Sequence, residues 1–163
     1  MTMSGKTTIA KKLASDYRDR GIGVIVCDPM FSDWDCDLKF DNMPDFMKAV
    51  RASKKCALFI DESGEMIGQH VTESFWLATR ARHYGHKSHF ITQRAAQLNP
   101  TVRTQCSELF LFNSSADDCK ALANEFNKPE LKNANLLPKL HFMQCSRFSG
   151  ITHAHLEFIN KRT

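Results

Sequence analysis

No stretch of this chain is apolar for the roughly 18 residues that a membrane span takes, and residues 1–14, with Lys6, Lys11 and Lys12, hold no apolar core for a secretory signal. Membrane-spanning and secreted classes are thereby set aside, and a soluble, cytoplasmic protein is expected. The cysteines lack any C-x-x-C pair. Cys27, Cys36, Cys56, Cys106, Cys119 and Cys145 stand apart, several in or beside apolar runs where a thiol serves as a small core residue, which suits a reducing compartment. The histidines lack ligand spacing: His83 and His86 flank Gly85, and His153 and His155 alternate downstream of Cys145, so a zinc centre is not expected. There is no internal repeat, low-complexity tract or linker. Nor is there a basic tail: 22 Lys and Arg against 18 Asp and Glu are scattered along the chain and leave a net charge of +4. That balance permits contact with nucleic acid without arguing for it.

What is present is enough for one core. With 163 residues and 42% hydrophobic composition, a single domain spanning 1–163 is expected. Ile9, Leu13 and Tyr17 recur at helical spacing and predict a helix over 5–20, with Ala10 and Ala14 flanking that face. Val24-Ile25-Val26-Cys27 and Ala57-Leu58-Phe59-Ile60 are short continuous apolar runs that suit strands buried on both faces. Further helices are predicted over 44–52, 72–84 and 117–126, and further strands over 89–93 and 109–112. Residues 30–42 read as a loop. Segments 140–145 and 154–159, separated by Ser149-Gly150, read as a hairpin. Apolar strands alternating with helices give an α/β fold with a mainly parallel sheet flanked by helices and a C-terminal β-hairpin. In such sheets ligands bind beyond the carboxyl ends of the strands.

Ser4-Gly5-Lys6-Thr7-Thr8, running into the first helical pattern, is the end of a phosphate-binding loop, G-x-x-x-x-G-K-[ST]. In that loop backbone N–H groups wrap the phosphates, the lysine reaches the outer ones and the hydroxyl holds Mg²⁺. The motif's first glycine would fall immediately before Met1, so the expectation is a chain that starts inside its own motif, without the strand that feeds it. Asp61 follows four apolar strand residues and fits a carboxylate that meets the metal directly or through its water; Glu62 beside it fits the base that activates water. Taken alone, the Gly-Lys-Thr is a common tripeptide and Asp61-Glu62 an ordinary acidic helix start; their order and separation argue for chemistry. Gln93, at a strand exit, can touch both a γ-phosphate and the attacking water. Arg80, Arg82, Arg94 and Arg103 are candidates for an arginine finger supplied to a neighbouring subunit, although any single one of them is more readily a solvated or salt-bridged side chain.

Thr92-Gln93-Arg94, then Asn99-Pro100-Thr101-Val102-Arg103, then the strand Glu108 to Phe112, resemble the FtsK/HerA division of P-loop ATPases. Asp28-Pro29, Ile60-Asp61-Glu62 and the run Trp76 to His86 narrow the resemblance to small bacteriophage-encoded ATPases of the DNA-packaging kind. The resemblance covers residues 5 to about 126 and implies a RecA-like core, ATP with Mg²⁺, and work as a homo-oligomeric ring on double-stranded DNA. It further implies host cytoplasm or virion association and contact with capsid or portal proteins. Carried onto this sequence it gives Lys6 and Thr7 the phosphate cradle, Asp61 and Glu62 the carboxylates, Gln93 the sensor, and Arg82 or Arg103 the finger, with Arg82 preferred at a helix end. The competing expectations are an assembly or secretion ATPase of the filamentous-phage type and a nucleotide-binding or truncated product without turnover.

Overall fold

A computed structural model describes residues 5–61 and 70–157, which divide into two compact units, one of residues 7–106 and the other of residues 5–6 with 107–157. The larger unit is built on a four-stranded parallel sheet of order β2-β1-β3-β4: β1 (Val24–Cys27), β2 (Leu38–Phe40), β3 (Ala57–Ile60) and β4 (Lys87–Phe90). Every residue of β1 and β3 is buried, as expected of apolar runs at the middle of a covered sheet. Their side chains alternate between two cores. Val24, Val26, Ala57 and Phe59 join Ala10, Ala14 and Tyr17 of α1 (Lys6–Asp19), while Ile25, Cys27, Leu58 and Ile60 join α2 (Met43–Arg51) and α3 (Val71–Thr79). Phe46 and Phe59 are fully buried, and each contributes about 2–3 kcal/mol.

Differences from the sequence expectation have local causes. In α1 the most buried face runs through Ala10, Ala14 and Tyr17, with Leu13 at its margin, because alanines let a helix lie close to a sheet. Segment 30–42 is not wholly loop. β2 lies there, parallel to β1 and pinned by Val24 N–H donating to Asp37 Oδ2 at 2.8 Å; at the sheet edge only three half-exposed residues are needed, so no apolar run announces it. The helix expected over 72–84 breaks after Thr79 and resumes as a 3-10 turn at Ala81–Tyr84, closed by Gly85 at φ 77°. β4 lies two residues upstream of its expected start, so Thr92 and Gln93 stand beyond the strand. Asn42 caps α2, its side chain accepting from Asp45 N–H at 3.0 Å, a bond worth about 1 kcal/mol.

The smaller unit holds a three-stranded antiparallel sheet, β5 (Glu108–Phe112), β6 (His141–Ser146) and β7 (Thr152–His155), in that order. The expected hairpin is β6–β7, and β5 pairs with it instead of extending the parallel sheet. Before it come α4 (Pro100–Gln105), in the larger unit, and then α5 (Ala116–Glu125), whose cap Ser115 accepts from Asp118 N–H at 3.2 Å, and a 3-10 segment at Pro129–Leu136. Among the described residues no helix is long and apolar enough to cross a membrane.

Candidate functional site

α1 opens at Lys6, and the first-turn amides of a helix point out along its axis, a ready seat for an anion. No acidic side chain stands in that turn to repel one. Gly5 precedes it at φ 93°, in the left-handed region that L side chains avoid. Space forbids a side chain there as well: a Cβ on Gly5 would lie 2.6 Å from Leu156 Cδ1 and 3.0 Å from Phe112 Cε1, both in the smaller unit with it. Position 5 is therefore shaped for a glycine by its backbone angle and by Leu156 and Phe112 of its own unit. Ser4 lies outside the described residues. Lys6 and Thr7 are half-buried and Thr8 is exposed.

Asp61 follows β3 directly and is buried at 5% exposure. The strand places it: Asp61 N–H donates to Cys27 O at 2.9 Å, continuing the β1–β3 ladder by one residue. Thr7 Oγ1 donates to Asp61 Oδ2 at 3.2 Å, across 54 residues of sequence. The hydroxyl at the head of α1 and the carboxylate at the exit of β3 thus meet. This pair is a set of hard oxygen donors and fits Mg²⁺, which binds through one or two such groups while keeping waters and phosphate oxygens. Glu62, the next residue, lies outside the described residues.

Gln93 is exposed just past β4. The segment leaves the sheet after Ile91 N–H bonds Ile60 O at 2.9 Å, then turns through a 3-10 element at Ala95–Gln97. Arg82 is exposed on the 3-10 turn after α3, and Arg80 is exposed at the junction before it. Arg103, half-buried on α4, donates from Nη1 to Ala95 O at 2.7 Å and to Leu98 O at 3.1 Å. The expected residues are therefore not equivalent: Thr7 and Asp61 are joined, Gln93 and Arg82 are exposed, and Arg103 is half-buried and bonded to the carbonyls of Ala95 and Leu98.

Sequence reasoning used Asp28 only as part of the Asp28-Pro29 pair that narrows the resemblance and gave it no role at a site. It is 1% exposed and accepts from Met30 N–H, Ser32 N–H and Trp34 Nε1 at 2.9, 2.9 and 3.0 Å, and from Ser32 Oγ at 2.6 Å. Burial alone would raise its pKa, but the bonds from Ser32, Trp34 and Met30 outweigh it and hold the carboxyl below its ordinary range. Cys27 beside it is pushed up to about 12 by burial and by the Asp28 and Asp41 charges, so it is no thiolate nucleophile.

No family model matches the sequence, and no curated protein matches it. Solved structures do match in shape. The genome packaging NTPase B204 of Sulfolobus turreted icosahedral virus 2 superposes with TM-score 0.75 in complex with AMPPCP, at 18% identity over 97% of this chain and 94% of that one. Its complex with ATP-gammaS gives 0.71 at 18% identity, over 96% and 93%. B204, the DNA-packaging ATPase from Sulfolobus turreted icosahedral virus, gives 0.71 at 16% identity, over 95% and 93%. The chain has the α/β fold of these genome-packaging NTPases.

Proposed function

We propose that this chain is an ATP-binding and ATP-hydrolysing motor that drives double-stranded DNA into a viral capsid. One observation carries the reading: the Thr7–Asp61 bond joins the head of the helix after a Gly-Lys-Thr to the exit of a buried strand, in a fold shared with the B204 NTPases. In this reading Ser4, Gly5, Lys6, Thr7 and Thr8 hold the ATP phosphates, and Lys6 supplies positive charge to the outer ones. Thr7 and Asp61 would hold Mg²⁺, which when bound supplies positive charge to phosphate oxygens. Glu62 takes the proton of the attacking water, Gln93 orients that water and Arg82 serves a neighbouring subunit in a homo-oligomeric ring. Residues 1–163 then act as one ATPase domain in the host cytoplasm or on the virion, with capsid or portal proteins as partners.

The test is ATP turnover with and without double-stranded DNA, compared with Lys6→Ala. DNA-stimulated turnover that Lys6→Ala lowers about 10²-fold or more supports the motor. Turnover indifferent to DNA moves the assignment to an assembly ATPase. Binding of ATP without turnover, or no binding at all, sinks the hydrolytic reading.

A further inference from the structure

The segment that carries Gln93 has no sheet or helix to hold it, yet it is cross-braced. Thr92 Oγ1 lies 3.0 Å from both Arg94 O and Gln97 Oε1, alternative acceptors for its one proton. Gln97 Oε1 also accepts from Arg94 N–H at 3.2 Å. From the far side Arg103 Nη1 directs its two protons to Ala95 O and Leu98 O, closing the turn between them. Arg103 is itself fixed: α4 is capped by Asn99 Oδ1 accepting from Thr101 N–H at 2.9 Å, and Val102 next to it is fully buried. A guanidinium is always charged, planar and pre-shaped for such a fork, and charge-assisted bonds are stronger than neutral ones.

We propose that Arg103 is a positioning residue that fixes the Gln93 turn within its own subunit, and that it is not the arginine offered to a neighbour's nucleotide. To cross a subunit boundary its side chain would have to abandon both carbonyls of the 95–98 turn and release the segment on which Gln93 depends. Arg82, exposed on its 3-10 turn and three residues before the Gly85 stop, remains the residue placed for that reach. The inference rests on the ATPase reading above, because it takes Gln93 as the group being positioned.

A double-mutant cycle separates the two roles. Arg103→Ala is expected to lower kcat roughly 10- to 100-fold, with KM for ATP held within about twofold, because the phosphate cradle is untouched. In a Gln93→Ala background the same change should cost no more than about twofold, since a residue that acts through Gln93 has nothing left to position. Losses that multiply overturn the proposal. Mixing Arg103→Ala chains with Lys6→Ala chains gives a second decision. A finger acting in trans would be supplied by the Lys6→Ala subunit and raise turnover above the sum of the separate rates, whereas a residue acting in cis leaves that sum unexceeded. Hydrogen exchange needs no turnover: amides of residues 92–98 should exchange faster in Arg103→Ala, and unchanged protection there overturns the clamp. Absence of turnover in the wild-type chain would sink the ATPase reading, while hydrogen exchange would still decide whether Arg103 braces the turn.

Discussion

Asp28 and Asp61 occupy the same level of the parallel sheet, each one residue past strands whose last residues, Cys27 and Ile60, are register partners. Both are buried, at 1% and 5% exposure. Their bonds run in opposite directions along the chain. Asp28 is met by Met30, Ser32 and Trp34, all within six residues, and winds its own loop tightly enough that Phe31 takes φ 49°. Asp61 receives the hydroxyl of Thr7 from 54 residues away and so ties the β3 exit to the start of α1. The first carboxylate builds a loop; the second joins two elements, at the residues that the proposed function assigns to Mg²⁺. Burial and strand position are common to both, and only the origin of the donors separates structure from chemistry.

The widest split is expected from replacing each with alanine. Asp61→Ala should lower ATP turnover about 10²-fold or more with the fold retained, as for loss of a group that stabilises developing charge. Asp28→Ala should cost about 2–4 kcal/mol of stability, because several buried donors lose their acceptor at once, while turnover per folded molecule stays within a few-fold. Denaturant titration alongside steady-state kinetics reads both. If Asp28→Ala abolished turnover in a chain of normal stability, Asp28 would belong to the chemistry and the contrast would fail.

The contrast was only half legible in the sequence. Buried strands β1 and β3 announce themselves as continuous apolar runs, and Asp61 was found because a carboxylate after such a run pairs with a Gly-Lys-Thr upstream. Asp28 carried a signal too, in the Ser32 and Trp34 donors that follow it, but donors in a loop become evidence only once the loop's path is known. β2 was invisible because an edge strand of three residues needs no apolar run, and β4 was displaced because Lys87 and Ser88 are polar although they pair with Ala57 and Leu58. Arg103 was legible as an arginine after a Pro-Thr but not as a brace, since its acceptors are backbone carbonyls, which sequence does not distinguish.

The Asp61 side depends on where α1 begins, and Gly5→Ala tests that. The substitution forces a Cβ to within 2.6 Å of Leu156 Cδ1 at a backbone angle of 93°, at an expected cost of about 1–3 kcal/mol. Leu156 presents the end of a flexible side chain, so Leu156→Ala in the same chain should return the steric part and leave the backbone part. Asp28→Ala should add to either change without coupling, since it acts in the other unit. Strong coupling between Gly5 and Asp28, seen as non-additive midpoints in denaturant, would show that the Gly5 turn and the Asp28 loop do not lose their structure independently.

Acid should expose the smallest difference. His89 packs on Phe59 with ring centroids 4.4 Å apart, and its Nδ1 lies 3.1 Å from Leu58 O, so Nδ1 carries the proton and Nε2 accepts from Tyr17 OH at 3.3 Å. Burial lowers its pKa, and the backbone bonds do not restore it, so the ring is neutral in the fold. Below about pH 6.5 the unfolded chain takes up a proton that the folded chain refuses, and stability falls with pH by at most about 1.4 kcal/mol per unit. Asp28 has the opposite character: its folded pKa is lowered, so its contribution is present above the ordinary carboxylate pKa of about 4 and is lost only as pH falls through that value and below. Tm against pH should therefore show two declines in the wild-type chain. His89→Phe should flatten the one that begins below about pH 6.5 and keep the one below about 4, while Asp28→Ala should do the reverse. A single decline removed by either substitution would mean that the strand exit and the aromatic cluster beneath it unfold as one proton-linked unit, and the separation of the β1 loop from the rest of the sheet would have to be given up.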